Sequence, residues 1–304
     1  MTDTFMPPAP LQTAVLFLVF NRPDTTAQVF EAIRKAKPPR LYVAADGPRA
    51  NRDGELQKVA KVREIATAVD WPCEVKTLFR EENLGCKYAV SGGITWFFEH
   101  EEQGIILEDD CLPSQSFFWF CEALLRKHQN NQNIWIISGY NHFSGRLEED
   151  YYLCKQPGIW GWATWRDRWE KYSPNPNFSA SDTLDLPTTK MSSHWKNVFR
   201  SSSNIDTWDY QLAHLIMHNF GFCLRSSLNL IENIGFGPNA THTTNRRGRQ
   251  VKNNEILAVT DLSCSSLFDS VSEDYFHWNN RFKKKTIMLF IGSLRNLARA
   301  IFPR

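Results

Sequence analysis

Residues 103–114 read QGIILEDDCLPS, three apolar residues running straight into Glu108, Asp109 and Asp110, with a Cys-Leu-Pro-Ser turn immediately behind. Three neighbouring carboxylates at the end of a buried strand repel one another unless a cation or hydrogen-bond donors compensate. Upstream of this stretch, TAVLFLVF (residues 13–20) is a continuous apolar run, the pattern of a strand covered on both faces. Asn21-Arg22-Pro23-Asp24 ends it, and Asp24 stands where a cap would open a helix running to about Ala36. RLYVAADGPR gives a second strand ending in Asp46-Gly47, and a polar helix over about residues 54–68 follows. CEVKTLFR is a third strand, NLGCKYAVSGGITWFFEH a loop entering a helix, and GIILEDD the fourth strand. Four strand–helix alternations in about 110 residues predict a doubly wound α/β sheet. In such sheets ligands bind outside the carboxyl ends of the strands, which is where the acidic triplet falls.

The second half is less regular. QSFFWFCEALLRKH reads as a helix and NIWIISGYN as a strand; GIWGWATWRDRW reads as an aromatic loop, and residues 173–190 as a long polar loop. TWDYQLAHLIMH is a helix, FCLRSSLNLIENIGFG is strand-like, and THTTNRRGRQVKNN is a basic loop. Residues 283–302 place Ile287, Ile291, Leu294, Ala298 and Ile301 on one helical stripe beside Arg295 and Arg299. Such a helix can lie on an anionic bilayer or dock on its own domain.

The chain has 304 residues, 42% hydrophobic and 22% charged, values of a globular protein with a substantial core. Its net charge of +2 gives no global argument for nucleic acid as a partner. Seven cysteines without a CxxC predict free thiols in a reducing compartment. MTDTFMPPAP lacks the features of a signal peptide, and no segment reaches the roughly 20 apolar residues of a membrane span. The expected location is therefore cytoplasmic, with the C-terminal helix allowing peripheral contact with the cytoplasmic face of the inner membrane.

A divalent ion shared with nucleotide phosphates would relieve the triplet, since Mg²⁺ and Mn²⁺ take one or two carboxylates plus phosphate oxygens. The plainer alternative is that Asp110 caps the following turn and the others face water. Among phosphate-binding chemistries, a P-loop needs GxxxxGK[ST], and no such run exists. A dinucleotide oxidoreductase needs GxGxxG after its first strand, yet VLFLVFNRPDTT has no glycine, and the same absence counts against a sugar nucleotidyltransferase.

From about Ala14 to Gly237 the order and spacing of motifs resemble the GT-A glycosyltransferase superfamily, in detail the inverting N-acetylglucosaminyltransferase I type and its bacterial relatives in surface-glycan assembly. The matching segments are VFNR, VAADG, LEDDCLPSQSFFWF, IISGYN, PGIWGWATW and TWDYQL. The resemblance implies a Rossmann-like, mostly parallel α/β sheet flanked by helices. The C-terminal helix would be appended to it. The expected organisation is a loose, Pro-rich start (1–12), a glycosyltransferase domain (13–260) and a helical tail (261–304), the chain beyond Gly237 having no match in the resemblance. Within the domain the nucleotide-binding half is about 13–112 and the acceptor half about 113–260. By position, Asp110 would bind the metal, Mn²⁺ or Mg²⁺, while Asp109 and Glu108 would hydrogen-bond the ribose or metal-bound water. Arg22 and Asp46 would contact the base, implied to be uracil, and Asp209 would be the catalytic base. The segment Arg80–Lys87 departs from the family's pattern; Lys87 is its candidate diphosphate contact. The donor would be a UDP-sugar and the acceptor a glycan or lipid-linked saccharide, as in lipopolysaccharide or exopolysaccharide assembly.

Each candidate has a plainer alternative. Asp209 can be a first-turn residue favoured by the helix dipole, with Asp206 as the cap. Of Trp160, Trp162 and Trp165, one, Trp162 being the candidate, would face the sugar while the others fill the core. His214 and His218 form HxxxH without the acid of HExxH, so they read as structural. His242 could complete the metal shell, touch the diphosphate, or be an exposed loop residue. Arg246, Arg247, Arg249 and Lys252 form either a lid over the donor or a solvated charge run. Two further functions share these features: a metal-dependent nucleotidyl- or phosphotransferase, and a non-catalytic glycan-binding module.

Overall fold

Val15, Phe17 and Val19 point to one side of the first strand and Leu16 and Leu18 to the other, and helices cover both sides. In the computed structural model, which describes residues 5–141, 149–179, 184, 186, 189–202, 205–236, 252, 254–256 and 258–264, the first half alternates without exception. It runs β1 (Val15–Val19), α1 (Pro23–Ala36), β2 (Arg40–Ala45), α2 (Glu55–Ala66), β3 (Glu74–Phe79), α3 (Gly85–Phe98) and β4 (Gln103–Glu108). The second half continues β5 (Cys111–Pro113), α4 (Gln115–His128), β6 (Ile134–Ser138), β7 (Tyr151–Cys154), β8 (Trp162–Trp165) and α5 (Arg166–Trp169). It ends α6 (Thr189–Ser202), α7 (Asp209–His218), β9 (Phe222–Ser226) and β10 (Ile231–Asn233).

Eight strands form one sheet in the order β3-β2-β1-β4-β8-β6-β9-β7, and β10 pairs with β5 in a two-stranded ribbon. The β3-β2-β1-β4 half is parallel throughout, and β6 and β9 are parallel too; β8 and β7 run antiparallel to their neighbours. The result is a mixed α/β domain around a large, mostly parallel sheet. One face packs on α1, α2 and α4 through Val29, Ile33, Val62 and Phe117. The other packs on α3 and α7 through Ile94, Phe97, Leu212 and Ile216.

Three local expectations are corrected. The aromatic stretch is not a loop: Trp162–Trp165 is a buried strand that joins β4 to β6, its four residues fully enclosed. Asp24 does not cap α1; the capping position is Arg22, with Pro23 opening the helix, and no side chain caps it. The end of the expected polar loop is already helical, since α6 begins at Thr189. All seven cysteines are free, as their number and spacing predict. No described helix is long and apolar enough to cross a membrane. The stripe at 283–302 lies outside the described residues.

His128 closes α4 against β7, its Nε2 lying 3.2 Å from the Tyr151 hydroxyl. Burial, with the charge of Lys127 adding to it, lowers its pKa to about 4. The fold accommodates the neutral ring, whereas the unfolded chain takes up a proton below about pH 6.5. The stabilisation is therefore complete above pH 6.5 and is lost as pH falls toward 4. His128→Gln should remove this dependence. In urea unfolding, the stability of the wild type minus that of the variant should shrink from pH 7 to pH 5, and a pH-independent difference would contradict the assignment.

Candidate active site

β1, β2 and β4 all end on the same edge of the sheet, and the polar residues after each strand converge there. Asp109 and Asp110 follow β4, and Arg22 follows β1, two strands that lie side by side. Arg22 forks across both acids. Its Nη1 donates to Asp110 Oδ2 at 2.8 Å, and its Nη2 makes a very short ion pair with Asp109 Oδ1. The Phe20 backbone N–H donates to the other oxygen of Asp109 at 3.1 Å. The Asp109 side chain is 3% exposed and that of Arg22 23%, so the pair is largely out of water. Burial works against the guanidinium charge, yet the two carboxylates more than offset it and hold Arg22 above its ordinary value. Burial in turn pushes Asp109 up; Arg22 opposes the rise and Asp110 adds to it. The repulsion inherent in the triplet is thus met first by a resident cation.

Glu108 has no such partner. Among the described residues its carboxylate accepts no side-chain or backbone hydrogen bond. Burial, then the charges of Asp110 and Asp109, raise its pKa; Arg22 opposes the rise, and Asp209 adds to it. Asp209 comes from about 100 residues further along the chain, at the first position of α7, yet its charge reaches Glu108 and the Cys86 thiol. It is half-buried, and the Thr207 hydroxyl donates a very short bond to its Oδ1. The two expected acids are therefore brought into one electrostatic neighbourhood. Burial, with Glu108, Asp206, Asp209 and Asp46 adding, pushes the Cys86 thiol up to about 12 and keeps it protonated.

Asp46 ends β2 and is spent on the next loop. It accepts from its neighbour Gly47 N–H at 2.9 Å, from Asn83 Nδ2 at 2.9 Å, and from Leu84 and Gly85 N–H at 3.0 and 3.1 Å. Burial raises its pKa and these N–H donors oppose the rise. The next two amides, of Cys86 and Lys87, donate to Asp206 at 2.9 and 2.8 Å. Asp206 therefore caps α3, not α7. The Lys87 ammonium, the expected diphosphate contact, donates to Asn175 Oδ1 at 2.9 Å.

Trp162 is 0% exposed and stacks on Trp208 at 5.7 Å, so its indole faces the core. The half-buried indole of that stretch is Trp160, set edge-on to Tyr140 at 4.5 Å and to Phe236 at 5.8 Å. His214 and His218 stack at 5.5 Å, with His214 wedged against Phe178 and Phe199, a structural arrangement. His242 and Arg246, Arg247 and Arg249 lie outside the described residues. Gly235 was not singled out in the sequence, although a Cβ there would overlap Asp110 Oδ2 and press on Arg22. Only a glycine lets the chain beyond β10 lie against the Arg22–Asp110 pair, and the IGFG spacing was its one visible signal.

Among the described residues no three carboxylate, histidine or cysteine groups converge as a metal-ligand set. The donors present still suit a hard dication. Among the described residues Glu108 is unpartnered, and the second oxygen of Asp110 meets only the weak Cys111 thiol at 3.5 Å. One or two oxygen ligands are what Mg²⁺ and Mn²⁺ take from protein when phosphates supply others.

No protein-family model and no curated protein matches the sequence. Several solved structures share a slight likeness. One is HddC from Yersinia pseudotuberculosis (10% identity over 56% of this chain and 84% of that one, TM-score 0.33). Another is the glycosyltransferase GlyE of Streptococcus pneumoniae (8%, over 70% and 45%, TM-score 0.35). A third is mouse xyloside xylosyltransferase 1 (7%, over 69% and 81%, TM-score 0.33). Likeness this slight assigns neither family nor activity.

Removing Arg22 leaves two carboxylates facing each other without their counterion. Arg22→Ala should lower the unfolding free energy by about 2–4 kcal/mol, the range for breaking a buried ion pair discounted for partial exposure. Urea unfolding at neutral pH checks this, and a loss below about 0.5 kcal/mol would mean the fork contributes little.

Proposed function

We propose that this protein is a metal-dependent, inverting glycosyltransferase that moves a sugar from a UDP-sugar to a hydroxyl of a growing glycan. The observation that carries the reading is the convergence, at the carboxyl edge of the sheet, of Asp109 and Asp110 after β4 with Arg22 after β1, where the charge of Asp209, from α7, also acts on Glu108. Open α/β sheets bind ligands at that edge. The ordered motifs from Ala14 to Gly237 support the same reading and provide the roles of the individual residues.

Direct displacement at an anomeric carbon needs a base on the attacking hydroxyl and charge neutralisation on the departing diphosphate. Asp209 takes the hydroxyl proton. Thr207 donates to one of its oxygens, which fixes the carboxylate's rotation and leaves the other for the acceptor. Asp110, with Glu108, would hold Mn²⁺ or Mg²⁺, which when bound supplies Lewis acidity to the leaving phosphates. Arg22 stays on Asp109 and keeps that carboxylate oriented beside the ribose. Asp46 acts on the base side by holding the Asn83–Gly85 loop in place. Trp160, rather than Trp162, is the indole placed to meet a sugar face, because it alone of the three is not enclosed.

The test uses purified protein, a panel of radiolabelled nucleotide sugars and Mn²⁺. UDP compounds should raise the melting temperature only with metal present, and Asp110→Ala should abolish that metal dependence. Asp209→Ala should cut transfer about 10²- to 10⁴-fold, the usual contribution of a general base, while UDP binding persists. Release of UDP with transfer of the sugar alone separates this reading from nucleotidyl or phosphoryl transfer. Indifference to every UDP ligand would overturn it.

A further inference from the structure

We infer that Asp206 is a positioning residue that sets the place of Asp209 by latching the segment before α7 onto the N-terminus of α3; the inference rests on the reading of Asp209 as the base. The contact spans 119 residues of sequence in one bond and 120 in the other. One carboxylate takes both amides, Oδ2 from Cys86 N–H and Oδ1 from Lys87 N–H, so the side chain is fixed in rotation as well as in place. A negative charge at a helix N-terminus is also favoured by the helix dipole. The approach depends on Gly85: its φ of +78° turns the chain into α3, and a Cβ there would lie 2.6 Å from Asp206 Oδ2.

Two residues, Thr207 and Trp208, separate the latch from the base, and each step between them is fixed. The Thr207 N–H bonds to the Ile205 carbonyl at 2.9 Å, closing a tight turn around Asp206. The Thr207 hydroxyl then bonds Asp209. Trp208 is buried, stacked on Trp162, with its carbonyl held by the Tyr172 hydroxyl at 3.1 Å. α7 has no side-chain cap of its own. Its first turn therefore takes its position from outside, from the buried Trp208 and from the Asp206 carboxylate held by the α3 amides. A base must sit within hydrogen-bond reach of the proton it takes, and a misplacement of about 1 Å can cost about 10²-fold in rate.

The test is a double-mutant cycle on the full chain, with sugar transfer followed at saturating donor and metal. Asp206→Ala should lower kcat about 10- to 100-fold and leave the donor KM within about twofold. Asp206→Asn, which keeps one acceptor oxygen, should lie between the two. In combination with Asp209→Ala, Asp206→Ala should cost nothing more, because a residue that acts only through the base has no effect once the base is gone. Hydrogen exchange gives an independent readout: residues 205–212 should lose protection in Asp206→Ala, and Gly85→Ala should give the same pattern from the other side of the contact. Additive losses in the double variant, or a wild-type kcat in Asp206→Ala, would overturn the inference. A wild-type rate in Asp209→Ala overturns the base reading and the catalytic part of the inference with it. Unchanged exchange in Asp206→Ala overturns the latch alone.

Discussion

The arrangement at the carboxyl edge of the sheet depends on one guanidinium that bridges two adjacent carboxylates. Asp109 and Asp110 sit at the end of a central strand, where the neighbouring strand delivers Arg22 to the same level. Without that cation, two buried like charges would drive protonation or displace the strand end. With it, Asp109 is consumed as a structural acid, Asp110 keeps an oxygen nearly unused, and Glu108 stays unpartnered. The fork thus sorts three similar side chains into different chemical states. The resident arginine does the first part of the neutralisation, and under the proposed function a metal with diphosphate would do the rest.

A second theme is the use of distant carboxylates to hold backbone amides. Asp46 and Asp206 together take four consecutive N–H groups, from Leu84 to Lys87. Glu255 takes the first two amides of α4, at 2.8 and 2.7 Å. Glu122 takes the Gln12 and Thr13 amides and the Thr13 hydroxyl, tying the start of the chain to α4. Helix starts leave N–H groups unpaired, and most caps are local. Here several are supplied from more than 80 residues away, so the starts of α3 and α4 are held by tertiary contacts.

Much of the first half of the fold was legible because β1 and β2 are nearly unbroken apolar runs and α1 carries a clear apolar stripe; α4 matches its sequence boundaries residue for residue. WATW was not, because a four-residue strand between Gly161 and a charged segment has no period long enough to separate it from a loop. The acids of the site were legible as residue types at strand and helix ends. Their pairing was not: the Arg22 fork joins residues 87 and 88 apart, and the Asp206 cap residues 119 and 120 apart. Asp206 was misassigned to its nearest helix for that reason. The burial of Trp162 followed from its strand, and so could not be read before the strand was.

The most direct test of this electrostatic arrangement is the anomalous scattering of manganese in a crystal grown with UDP. The account predicts a manganese peak against the Asp110 carboxylate, with Arg22 still bound to Asp109. UDP bound in the cleft with no manganese signal, and with Arg22 spanning both aspartates as before, would contradict it.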